Sequence, residues 1–559
     1  MIVLGVGSYG RDSSITLANE TSILAALEEE KLSRSSGAGG IPKRSIERCL
    51  EQAGAAISDI SLAAIARRPI AAWRREASFR LRLSLSRPGA ADWTRSFGRN
   101  FRELTQLRHL QSFLKQKTVY FEHHSCHAAS AYYTSDFDRA LIITLDECGD
   151  MQSGMISLGE GDTISTLESL RFPNSLGWFY SRVTELLSLR PHRDEHKVQW
   201  LSKEGTPDYV SAFQKLFRSD ARGLPVLNRR YFARGPDDRG TFSEEFLREL
   251  GISRKSLAVD PSIRASVAAS AQTVLEGLVL DIAERFRVRT GSNSLCVAGG
   301  IFLNVLLVRA LETRSKFNAV HVQPVAGNPG TSLGAAFLAR KQLSGTARRG
   351  RFSDLFLGPE SSSAEIKAIL DNCKIIYNYF PEDKHLYLKA TELLLSNVTL
   401  AWFQGRTEFG HRALGNRSIL ASPFSEYVTE NINQYVKHRG DFHPFALSVP
   451  AEIAPELFDC TPNCRFMASL GTLRKAPPEL ERFAFHKREV RVHTVERESN
   501  PRFWQLLHTF GQSAPAPVLV NTSFNLFGEP LVSDPREAIR SFYCAGIDAM
   551  AIGNFLLTK

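Results

Sequence analysis

The chain has 559 residues, 43% of them apolar and 23% charged, with a formal charge of +10. That length exceeds one ordinary domain and predicts two or three, with the composition of a globular chain. The N-terminus lacks a basic stretch ahead of a long apolar run, and no segment approaches 18 uncharged apolar residues, so neither a signal peptide nor a membrane span is expected.

From the start, IVLGVGSYG, SSITLAN and SILAALEEE read as three strands separated by polar turns. The charge then concentrates. Residues 67–108 hold eleven arginines against Glu76, Asp92 and Glu103, a net +8. A basic helical insertion with a solvated face is expected there, with nucleic acid or a membrane surface as the competing readings.

Residues 121–150, FEHHSCHAASAYYTSDFDRALIITLDECGD, predict a helix and then a strand ending at Asp146. His123 and His127 are four apart, so one helix face presents both to a single ion, and strand ends are where α/β sheets place ligand groups. The intervening residues lack the glutamate of zinc proteases. On residue chemistry alone a metal site and an ordinary helix both stay open. ALIITLDECGD, SGMISLGEGD and TISTLESL repeat the opening rhythm of strand, polar turn and strand, which suggests a duplicated α/β core or two plain hairpins.

Residues 262–288 predict a long core helix. SLCVAGGIFLN follows as a buried strand broken at Gly299 and Gly300. VHVQPVAGNPGTSLGAAFLAR then reads as strand, Gly/Pro turn and helix, a turn that can present amide groups to an anion. The pattern dissolves over 341–363, and the boundary is placed there. Beyond it, GRTEFGHRALGNRSILASP carries Arg406, Arg412 and Arg417 among small residues, which favours an anion-binding loop over a solvated one. Lys437 and Arg439 follow, Arg491 lies on an expected strand, and Asn521, Ser523 and Asn525 come after another. Such a set suits a triphosphate. Eight scattered cysteines fit a reducing cytoplasm, and Cys460 and Cys464 of CTPNC lack the second pair of a zinc site.

HHSCHAASAYY…LIITLDECGD, CVAGGIFLN, GNPGTSLGAA and EHKVQWLSKEG (195–205) together resemble the O-carbamoyltransferase family of nodulation and antibiotic-biosynthesis enzymes. The resemblance covers nearly the whole chain. It implies an α/β protein with an actin/Hsp70-like duplicated N-terminal domain (1–345), similar to tRNA threonylcarbamoyl-transferring proteins. A smaller twisted-sheet α/β domain (364–559), similar to threonylcarbamoyl-adenylate synthases, is implied after it. The implied partners are ATP with Mg2+, carbamoyl phosphate and a small-molecule hydroxyl acceptor; a homodimer stays open, and neither membrane nor nucleic acid is expected. A tRNA acceptor, or a divergent paralogue that needs a partner, is the alternative.

By position, the resemblance implies Fe(II) or a similar divalent metal at His123, His127, Asp146 and Asn328. It implies catalytic roles for Arg412, Lys437 and Asp12. Arg406, Arg417, Arg491, Asn521, Ser523, Asn525, Lys197, Gly299, Gly300 and Asn304 are implied to bind substrate or nucleotide. The sequence departs from the family at several places. Asn328 stands where an aspartate is usual, Arg11 where a histidine precedes Asp12, His443 for an arginine and His493 for a glutamine. The family lysine after the acidic stretch has no counterpart in LSRSSGAGG. A neutral amide is a poorer metal donor than a carboxylate, and an arginine cannot act as a base at neutral pH.

Overall fold

The computed structural model describes all residues except 8–9, 87–92, 116, 234–239, 348–351 and 441. β1 (Ile2–Val6) pairs antiparallel with β2 (Ser14–Ala18), which pairs with β3 (Ile23–Glu28). On the other side of β1, β4 (Ile60–Ile65) and β5 (Thr118–Tyr120) add in parallel, giving the order β3-β2-β1-β4-β5. β2 is buried throughout and β1 and β4 nearly so, as continuous apolar strands are when both faces are covered.

The second sheet repeats this plan. β6 (Arg139–Gly149), β7 (Gln152–Glu160) and β8 (Thr163–Arg171) form an antiparallel meander. After the small hairpin of β9 (Phe217–Ser219) and β10 (Pro225–Leu227), β11 (Ser294–Ala298) and β12 (Ala319–Val322) add in parallel beside β6. Reading β6, β7, β8, β11, β12 for β1 to β5, the two strand orders are identical. This is the duplicated plan of an actin/Hsp70-like domain. The expected hairpin rhythm was therefore the trace of a repeat.

Two helices lie between the sheets, His123–Tyr132 and Thr331–Ser344, and pack on one another. Gly334 meets the Cys126 backbone at this junction, where a Cβ would stand 1.8 Å from the Cys126 carbonyl, so glycine lets the two helices approach closely. The helix Pro261–Thr290 is long and apolar enough by composition to cross a membrane. Here it packs into the core of the second repeat, with Val267, Leu275, Val279 and Phe286 buried.

The arginine-rich insertion forms two helices, Pro69–Ser86 and Trp93–Leu114, between β4 and β5. Its face is only partly solvated. Glu76 and Glu103 turn inward, where Arg80 and Arg99 bind Glu76 and Arg67 binds Glu103 and Asp150.

The C-terminal part is built on one mixed ten-stranded sheet. In chain order its strands are β13 (Asn378–Tyr379), β14 (Leu400–Phe403), β15 (Arg417–Ala421), β16 (Ala446–Pro450) and β17 (Phe458–Asp459). β18 (Leu470–Leu473), β19 (Glu489–Val495), β20 (Leu519–Ser523), β21 (Ala549–Ile552) and β22 (Phe555–Thr558) complete it. They are ordered β13-β22-β21-β14-β15-β20-β16-β19-β18-β17. The connecting stretch docks on β3, where Ala26 donates to the Leu357 carbonyl at 2.9 Å, and Phe409 donates back to Leu355.

Candidate functional site

Glu122 caps the His123–Tyr132 helix, its carboxylate accepting from the Ser125 amide at 2.9 Å. Of the three histidines, His124 is structural, its Nδ1 3.0 Å from the Thr144 hydroxyl. His123 and His127 share the other face, as their spacing predicts, with their Nε2 atoms 3.1 Å apart. The β6–β7 register shifts between Leu145 and Gly149, a bulge that turns Asp146 out of the ladder. Its Oδ2 lies 3.5 Å from His123 Nε2 and 3.3 Å from His127 Nε2. Gly149 is required here, because a Cβ would stand 2.0 Å from the His123 ring.

Two imidazole nitrogens facing one carboxylate oxygen, with all three ligand atoms within 4.8 Å of one another, form a donor set for one cation. Donors about 2.1 Å from one ion are separated by roughly 3.0–3.4 Å, so the spacing fits. Burial pushes the His127 pKa down to about 4. Burial lowers that of His123 too, but the bond to Asp146 outweighs it and raises the His123 pKa, so metal binding would displace a proton there. Burial opposes ionisation of Asp146, but hydrogen bonds from His123 and His127 hold its pKa well below the usual carboxylate range.

Asn328 begins the turn into the Thr331–Ser344 helix, and its Nδ2 lies 3.4 Å from Asp12 Oδ2. Asp12, at φ 55°, also meets Arg11 Nε at 3.5 Å. Burial raises the Asp12 pKa, and the Asp146 charge adds to the rise. Gly299, at φ 102°, passes so close to β6 that a Cβ would lie 2.1 Å from the Leu145 carbonyl. Gly300 lies against Asp146 Oδ1. Asn304 caps the helix Val305–Arg314 and hydrogen-bonds Gln272 and Tyr180.

Asp12, His123, Asp146, Gly300, Asn304 and Asn328 line a cavity of about 1230 Å³ whose opposite wall is the C-terminal sheet. That wall carries Arg412, Arg439, Arg491, Asn521 and Ser523. No acidic side chain pairs with these three arginines among the described residues. Burial and the neighbouring Arg491 pull the Arg412 pKa well down, and burial pulls Arg491 to about 10. Buried, mutually repelling cations without counter-charges make a pocket for a polyanion. Lys437 lies behind Ser523, bonded to the Ser523 carbonyl and to Asn525 Oδ1 at 2.7 Å; burial and then Arg439 lower its pKa.

Other expected residues stand away from the cavity. Arg406 donates to the carbonyls of Leu24, Leu357 and Gly358, tying the loop to β3 and the connecting stretch. Arg417 is buried on the Phe403 ring at 3.7 Å and binds the Gln404 and Gly405 carbonyls. Both positions hold the shape of the arginine loop, which is why the sequence mixes arginine with apolar residues there. Lys197 pairs with Asp194 at 2.9 Å, whereas its neighbours His196, Gln199 and Trp200 face the cavity. Helical spacing of His196 and Trp200 was the available signal.

Three further features escaped the sequence reading. His192 Nδ1 meets Glu147 at 3.1 Å inside the cavity. His196 and His443, from opposite parts of the chain, face each other with ring centroids 5.9 Å apart. Lys31, directly after the acidic stretch, is buried against Glu28 at 2.8 Å and donates to the Gly410 carbonyl at 2.7 Å. His196 and His443, and Lys31 and Gly410, are more than two hundred residues apart, so no local pattern announces these contacts.

Known proteins resemble the chain along its length. Residues 2–337 match the model of the carbamoyltransferase N-terminus and residues 391–559 that of the carbamoyltransferase C-terminus. The chain is 30% identical to the uncharacterized protein sll1178 of Synechocystis, over all of this chain and 96% of that one. It is 33% identical to nodulation protein NolO of Bradyrhizobium diazoefficiens over 78% of each chain. Nodulation protein NolNO of Sinorhizobium fredii is 30% identical, over 99% of this chain and 79% of that one. Among solved structures, HypF of T. kodakarensis aligns with 62% of the chain at TM-score 0.33 and 13% identity. The chain spans about half the length of that HypF, 48%. With both halves matched, the chain belongs to the carbamoyltransferase family.

Proposed function

We propose that the chain is an ATP-dependent O-carbamoyltransferase that makes carbamoyl-adenylate from carbamoyl phosphate and ATP, then passes the carbamoyl group to a hydroxyl of a small molecule. The observation that carries this reading is a single cavity bounded by the His123–Asp146 wall on one side and the arginine wall on the other. Arg412, Arg439 and Arg491 would neutralise the phosphates of Mg2+-bound ATP and carbamoyl phosphate and stabilise charge developing at phosphorus. Lys437, behind the pocket wall, would orient Ser523, which lines the pocket, through its bonds to Ser523 and Asn525. His123, His127 and Asp146, with Asn328 as a neutral donor, would hold a divalent metal such as Fe(II). That ion would supply Lewis-acid polarisation of the carbamoyl carbonyl. Asp12 is the carboxylate facing the same space that would accept the hydroxyl proton of the acceptor. Enclosure between the walls shields a reactive intermediate from water. On this proposal the chain works in the cytoplasm, a reducing compartment that keeps thiols free.

Carbamoyl phosphate-dependent pyrophosphate release tests the first step. Arg412→Ala and Lys437→Ala should each lower it about 100-fold, equivalent to about 3 kcal/mol for one preorganised charge. Near-normal release from both folded variants removes the assigned site. Mass spectrometry of products from hydroxyl-bearing metabolites, with tRNA as a parallel acceptor, tests the second step.

A further inference from the structure

The helices Pro69–Ser86 and Trp93–Leu114 also have an outer face. Along the first, Ile70, Arg74, Ala77, Leu81 and Leu85 recur every three or four residues, and all are exposed. Along the second, Trp93, Phe97, Phe101, Leu104 and Arg108 do the same. Residues so spaced make one stripe on a helix. Of nineteen large apolar side chains exposed among the described residues, seven lie on this pair, including Leu85 at 77%, Phe97 at 75% and Phe101 at 62%. A concentration of this kind marks a binding surface.

The charge is equally one-sided. With Glu76 and Glu103 turned inward, every exposed charged side chain described on the two helices is an arginine. We propose that this face docks the protein on an anionic lipid surface. Trp93, Phe97, Phe101 and Leu85 would enter the headgroup boundary, while Arg74 and Arg108 pair with lipid phosphates. A second copy is a poor occupant, because a two-fold interface would set these arginines against themselves. Nucleic acid would leave Ile70, Leu81 and Leu85 without a partner, since it is bound through phosphates and stacked bases. Ala72, Arg99, Arg102 and Gln106 of the same pair line the cavity, so docking brings the cavity wall to the lipid surface. The sequence reading that expected no membrane rested on spanning segments, which such a face does not need.

Flotation of the full chain with vesicles tests the proposal. The chain should float with phosphatidylcholine vesicles containing one-third phosphatidylglycerol, bind pure phosphatidylcholine weakly, and release as salt rises. Phe97→Ser with Phe101→Ser should weaken binding about tenfold or more. Arg74→Gln and Arg108→Gln should each weaken it about fivefold at low salt. Unchanged thermal melting shows that these exposed substitutions leave the fold intact. The proposal is overturned if the wild type stays unbound, or if the Phe97/Phe101 variant floats equally well. It is overturned too if the same substitutions abolish only self-association in sedimentation, or only retention of tRNA on filters.

Discussion

Asn328 and His443 are the substitutions on which the chemistry of the two walls turns. Asn328 donates to Asp12, so Asn328→Asp would set two carboxylates together unless a cation lies between them. Metal should therefore raise the melting temperature of Asn328→Asp more than that of the wild type, and retention after dialysis against dilute chelator should rise. His127→Ala should lose the metal and carbamoyl transfer while keeping pyrophosphate release. Elemental analysis beside the two assays checks this. His443 responds to pH. Burial, then Arg439, pushes its pKa down to about 4, whereas the unfolded chain titrates near the usual ~6.5. The unfolded state thus binds the extra proton between these values, and stability should fall as pH drops from about 6.5 towards 4. An anion in the arginine pocket favours the protonated ring. Tripolyphosphate should then recover more thermal stability at acidic than at neutral pH in the wild type, and less in His443→Gln, by differential scanning fluorimetry.

The loop of residues 405–423 shows which elements were legible. Its arginines marked it as anion-binding; Arg412 lines the cavity, but nothing local distinguished it from Arg406 and Arg417. The difference lies in distant partners: Glu408 accepts from the amides of Leu414, Asn416 and Arg417, while Lys31 and Glu28 clasp Gly410 from the other half. By contrast, the histidine helix and the strands were readable because their periods are local, and the spacing of His123 and His127 fixed their shared face. The buried Lys31–Glu28 pair yields a test. Lys31→Ala leaves a buried charge uncompensated and should cost about 3–5 kcal/mol in urea unfolding. Lys31→Met with Glu28→Gln should restore much of that stability, yet still slow pyrophosphate release because Gly410, two residues before Arg412, has lost its clasp.

Across the whole molecule the two walls are joined by contacts between the halves. Trp200 stacks on Phe485 with centroids 5.4 Å apart, and Arg491 sits 5.8 Å from the Trp200 ring. Trp200→Ala should open this joint, so that more pyrophosphate forms per carbamoylated product as intermediate leaks to water; a product-ratio measurement decides it. Length predicted two or three domains, but the cavity between the two walls depends on such long-range pairs and was invisible beforehand. The repeated strand order has one more meaning. Asp12 lies in the turn between β1 and β2 and Asp146 at the bulge of β6 before β7, so the first hairpin of each repeat sends one aspartate into the shared cavity. They differ in chemistry. Between its imidazoles Asp146 is fixed as an anion, while burial and the charge of its twin move Asp12 towards the acid. The repeated plan thus sets one firmly held anion beside one carboxyl that protonates more readily, across a single cavity.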